Sequence, residues 1–129
     1  MLMHIPVSIG EILDKMSILE IKSERMSDEK KLLNVRHELD VLNGELSKLE
    51  GLWGAVGDLY AQLKAVNEEL WVIEDDIRIK ESKKEFDDIF IALARSVYVT
   101  NDRRANLKKE INLKMGSDLV EEKSYEDYQ

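Results

Sequence analysis

Apolar residues recur along this chain at helical spacing and not at the alternation of a strand. Ser8 is a candidate N-cap and Glu11 follows three residues later, a capping-box pattern; Val7 and Ile12 stand at the staple positions. A first helix then runs from about Ile9 to Met26, with Ile9, Ile12, Leu13, Met16, Leu19 and Met26 on one stripe and Ile18 and Ile21 outside it. So wide an apolar face predicts contact with more than one neighbour. Ser27 opens the next start signal, "SDEK", which places acids in a first turn. In the second helix Leu32, Val35, Leu39, Leu42, Leu46 and Leu49 alternate at spacings of three and four, a coiled-coil-like seam.

Gly51, Gly54 and Gly57 then crowd into "GLWGAVG". Each glycine costs about 1 kcal/mol against alanine inside a helix, so the segment reads as a turn. The rival reading is one continuous helix, because Trp53 and Val56 extend the seam. A third helix follows from about Val56 to Lys80, a polar turn at "KESKKE", and a fourth from about Phe86 to Met115, with Gly116 as its stop. The expected fold is all-α, an antiparallel four-helix bundle in one domain over residues 1–129. It has a short N-terminal arm (1–7), the bundle (8–116) and an acidic tail (117–129).

The pattern breaks in two places. In the fourth helix, Phe86, Ile89, Leu93 and Val97 lead to Thr100 or Asn101, then Arg104, before Leu107 and Ile111 resume the stripe. In the third, Asn67, Trp71, Glu74, Asp75 and Arg78 form a polar stripe around one aromatic. A hairpin about 82–85 brings these levels together, setting Asn67 opposite Asn101 and Trp71 near Val97 and Tyr98. Buried polar groups need partners. Asn67, Trp71, Tyr98, Asn101 and Arg104 are therefore either a satisfied polar layer or a ligand site, and Glu11 or Asp14 is the expected acceptor for Arg104. A second candidate is an anion site. Ser8 and Gly10 sit at the free N–H groups of the first helix, and Arg103 and Lys108 lie in the part of the fourth helix that shares this end of the bundle. The rival role for those cations is to offset the dipole of that helix.

Composition narrows the chemistry. The 129 residues carry a net charge of −8, which disfavours nucleic acid and anionic membranes as partners. There is no cysteine, so disulfides and thiolate metal sites are excluded. Neither a secretory signal nor an apolar run near the ~18 residues of a membrane span is present, so a soluble, cytoplasmic protein is expected. His4 and His37 lack ligand spacing, and there is no phosphate-binding glycine loop. The acids of "IEDDIR" could hold Mg²⁺. The helical nucleotide pyrophosphohydrolases, however, repeat paired carboxylates one turn on, and after Glu68 and Glu69 this chain has Val72 and Ile73. Neither a metal nor a cofactor is expected. The first helix also bears a slight similarity to that of helical chorismate mutases, without the spaced cations those enzymes need.

The segments "VSIGEILDKMSILEIKSERM", "LKAVNEELWVIEDDIR", "LARSVYVTNDRRANLKKEIN" and "LVEEKSY" resemble, over about residues 5–125, a family of short helical proteins of bacteria and tailed phages known only as a domain of unknown function. The resemblance implies no established catalytic residue. It implies a surface-sugar setting, since members are often encoded near glycosyltransferases. It also places motif residues at Glu11, Asp14, Lys15, Asn67, Trp71, Glu74, Asp75, Arg78, Tyr98, Asn101, Asp102, Arg103 and Arg104. Two functions follow as expectations. One is a non-enzymatic helical binding or assembly module, a homo-oligomer (most simply a dimer), with a partner protein also possible. The other is a small enzyme or binding protein for an anionic metabolite such as a sugar phosphate or nucleotide sugar.

Overall fold

A computed structural model describes residues 1–128. It contains four helices: α1 Ile9–Arg25, α2 Glu29–Leu46, α3 Leu52–Ser82 and α4 Asp88–Met115. The all-α, four-helix expectation holds, and its boundaries need correction at three junctions. The N-cap of α2 is Asp28, whose carboxylate accepts the Lys31 N–H; it is not Ser27. Of the three clustered glycines only Gly51 belongs to the turn, at φ +73° as the residue before α3. Gly54 and Gly57 lie inside α3, which starts at Leu52 and not at Val56, while α2 stops at Leu46. The reason is tertiary: Leu52 and Val56 are buried in the core, and their burial outweighs the propensity cost of two glycines. The fourth helix opens at Asp88 behind an Asp87 cap, two residues later than the apolar stripe suggested.

Other termini follow their local chemistry. Ser8 Oγ accepts the Glu11 N–H. Gly116 takes the left-handed conformation at φ +64°, and the Ser117 N–H bonds back to the Asn112 carbonyl. Between α3 and α4 the same closing motif falls on a lysine. Lys84 has φ +56°, and the Glu85 N–H reaches the Lys80 carbonyl at 3.0 Å.

Helix α1 touches all three other helices, with α2 on one side and the α3/α4 pair on the other. Ion pairs between Lys80 and Asp87 at the turn, and between Glu69 and Arg103 farther along, show that α3 and α4 run antiparallel. The core gathers Leu13 and Met16 of α1, Leu46 of α2, Leu52, Val56 and Leu63 of α3, and Ile111 of α4. Gly10 lets α1 approach α4 closely: a Cβ there would meet the Lys108 carbonyl oxygen at 2.5 Å.

Helix length then decides the shape. At 1.5 Å per residue α1 spans about 25 Å, whereas α3 and α4 span about 46 and 42 Å. The α3/α4 hairpin therefore runs past the end of α1. No residue from 68 to 99 is buried, although Asn67 and Thr100 on either side of that stretch are. We call residues 68–99 the hairpin extension. Among the described residues no helix is long and apolar enough to cross a membrane.

Candidate functional site

The two polar interruptions meet where α1 crosses the hairpin. Asp14 of α1, 2% exposed, is the centre of the arrangement. Its carboxylate accepts Arg104 Nε at 2.9 Å and also Arg104 Nη2, a two-pronged pair, and it accepts Asn67 Nδ2 at 2.9 Å. Asn67 also donates to Ser17 Oγ at 2.7 Å, and that hydroxyl donates to the Asp14 carbonyl. Lys108, likewise buried, places Nζ 2.8 Å from Glu11, 2.9 Å from Glu121 of the tail and 4.0 Å from Asp14. The Asp14 carboxylate holds the Arg104 guanidinium more firmly protonated than usual, against the opposing effect of burial. Burial pulls the Lys108 ammonium down, but Glu11 and Glu121 together outweigh it and its affinity for the proton rises. Among the described residues no buried side-chain nitrogen or oxygen lacks a partner.

The layer thus has a sealed side and an open side. Asn67 does not bond Asn101 as its level suggested; it turns inward to α1. Among the described residues the one side-chain hydrogen bond of Asn101 is from Arg104 Nη1, at a long 3.5 Å. Two of the clefts beside α4 border this layer. One, of about 410 Å³, lies between α1, α3 and α4, and Asn67, Trp71, Asn101 and Arg104 all border it. The other, of about 510 Å³, lies between α4 and the tail and takes in Tyr98 together with Asn101 and Arg104. Tyr98 is therefore separated from Trp71 by α4. In the second cleft the charges are already matched within the chain: Lys108 by Glu11 and Glu121, and Asp102 by Lys123 and the Tyr128 hydroxyl. Tyr128 stacks edge-on against Tyr98.

The residues of the anion candidate have other occupations. Ser8 caps the Glu11 N–H, and the Gly10 N–H donates to Asn112 Oδ1 at 2.6 Å. Arg103 pairs with the exposed Glu69, away from this end of α1. Lys108 alone comes to the start of α1, and carboxylates surround it there. Sequence reasoning missed Ser17 and Asn112. Asn112 follows Ile111 and faces a glycine 102 residues away; the only hint was that Gly10 sits in a first helical turn, where close approach is the usual reason for a glycine. Among the described residues no set of three His, Cys, Asp or Glu is placed to hold a metal ion.

A family model matches residues 3–128, nearly the whole described chain. The chain belongs to DUF6165, a family of unknown function. No curated protein and no solved structure matches it. Membership in DUF6165 therefore brings no assigned reaction or partner, and the functional reading has to rest on the polar lock, the two clefts and the hairpin extension.

Proposed function

We propose that this chain is a non-enzymatic helical assembly module: a head locked by the Asp14 network, carrying a hairpin extension that pairs with a second copy. The observation that carries the reading is that residues 68–99 hold no fully buried residue while keeping large apolar side chains. Val72, Ile79, Phe86 and Ile89 stand 46%, 50%, 56% and 60% exposed. At about 150–200 Å² per side chain, these four together leave on the order of 400 Å² of apolar surface in water. Two antiparallel helices cannot bury both flanks of their shared seam, and a second pair laid against them can.

Charge favours a second copy as the occupant. A shallow groove of about 260 Å³ has Ile79, Ile89 and Leu93 as its floor, with Asp76 and Lys83 beside them. Asp76 and Ile79 of α3 and Lys83, the residue that caps it, are spaced three and four apart, so they follow one stripe. Among the described residues neither Asp76 nor Lys83 has an ion-pair partner. A twofold axis through Ile79 sets each Asp76 against the Lys83 of the other copy, the self-complementarity that an isologous dimer needs. Sedimentation velocity at tens of micromolar should show a dimer. Ile79→Asp should return it to monomer, and Asp76→Lys should weaken it until Lys83→Asp is added to the same chain. A wild-type monomer would end the proposal.

A further inference from the structure

The smaller cleft at the foot of the extension has a composition that assembly does not use. The geometry points to a binding site there for an uncharged, hydroxyl-rich ring, that is, a sugar unit. The volume of about 410 Å³ falls within the range of small-molecule sites. One wall is apolar, made of Ile18, Ile21, Leu70 and the half-buried indole of Trp71. Asp75 follows Trp71 one turn on along α3, and α4 contributes Asn101 and Arg104.

The ligand class follows from which polar groups are already used. Asn67 spends its amide N–H groups on Asp14 and Ser17. Arg104 spends Nε and Nη2 on Asp14, which leaves Nη1 with only the long contact to Asn101. Glu74 and Arg78 pair with each other at 3.3 Å. Among the described residues Asp75 has no partner and the Asn101 amide N–H groups have none. What remains is one carboxylate, one carboxamide, one guanidinium edge and an indole face. Planar groups that accept and donate in pairs suit adjacent hydroxyls, while the indole covers the C–H face of a ring.

Charge excludes the neighbouring classes. Arg104 is neutralised by Asp14 and Arg78 by Glu74, so the one unmatched charge is the negative Asp75. A phosphate or carboxylate would meet net repulsion here, which sets this cleft apart from the anionic metabolite expected above. An organic cation would gain from Trp71 and Asp75, but the Asn101 amide N–H groups and the Arg104 Nη1 edge are donors and would find no acceptor on it. A neutral polyol meets neither penalty. The site lies on the α1 side of the hairpin and does not depend on dimerisation.

The test is intrinsic fluorescence of a Trp53→Phe chain, in which Trp71 is the remaining tryptophan, titrated with glucose, galactose, N-acetylglucosamine, inorganic phosphate and tetramethylammonium. Saturation-transfer NMR on the three sugars runs alongside. A saturable response to at least one sugar is expected, with saturation concentrated on the protons of one ring face. Asp75→Asn, at an exposed position where folding is not at risk, should weaken it by roughly tenfold, as replacing a charged acceptor by a neutral one does. Trp71→Ala should remove the NMR signal. The inference is overturned if none of the three sugars gives a saturable signal by either method up to tens of millimolar. It is equally overturned if phosphate or tetramethylammonium binds more tightly than the sugars, or if sugar binding survives Asp75→Asn and Trp71→Ala unchanged.

Discussion

Removing either partner of the Asp14–Arg104 pair should destabilise the fold, and by unequal amounts. Asp14 is almost completely buried and its carboxylate receives Arg104 twice, Asn67 once and Lys108 at longer range. Breaking a buried pair from one side costs about 3–5 kcal/mol, because the other charge is left uncompensated. Arg104→Ala should fall just below that range, roughly 2–3 kcal/mol, since Lys108 and Asn67 still serve Asp14 and water can enter the open side. Asp14→Ala strands two cations and the Asn67 amide together, so about 4 kcal/mol is expected. Urea unfolding followed by circular dichroism, with unchanged m-values, gives both numbers. The double variant should cost less than the sum of the singles, because each change removes the reason for part of the other's penalty. Additive losses, or single losses below about 0.5 kcal/mol, would refute the view that this network locks α1 to the hairpin.

Three further predictions concern other levels of the structure. Gly10→Ala should destabilise by about 2 kcal/mol despite alanine's better propensity, because the new methyl meets the Lys108 carbonyl, whereas Gly54→Ala and Gly57→Ala, with open space around them, should each stabilise by about 0.5–1 kcal/mol in the same denaturation assay. Lys84→Gly should raise the thermal midpoint by relieving a left-handed lysine, a gain of about 1 kcal/mol. Tyr60 has its pKa raised by burial and by its hydrogen bond to Glu20, and Lys108 has its raised by Glu11 and Glu121. Folded values above unfolded ones mean stability that is complete below about pH 10 and lost as pH rises further, so the thermal midpoint should fall above pH 10, with the Tyr60 phenolate band appearing only as the chain unfolds.

Much of this architecture was readable from periodicity because α1 and the close of α4 obey local rules: Ser8 caps, Gly116 stops, and the apolar stripes beside them point inward. The start of α3 was not readable, since two glycines in a helix make sense only once Leu52 and Val56 are known to be core. The polar layer was visible as interrupted stripes at Asn67, Asn101 and Arg104. Its wiring was not, because a sequence gives the level of a residue and not the direction of its side chain. Asn67 turns to α1 instead of Asn101, and Tyr98 falls on the far side of α4. The hairpin extension was hidden for a related reason. Its stripe at Ile79, Ile89 and Leu93 looks like any core stripe, and only the shortness of α1 leaves it uncovered.

Hydrogen exchange read residue by residue, at protein concentrations from low to high micromolar, tests the assembly account most directly. Amides of residues 68–99 should gain protection as concentration rises, while those of α1 and the start of α3 stay constant, because the head is complete within one chain and the extension is not. Protection in the extension that is independent of concentration, or a gain confined to the head, would contradict it.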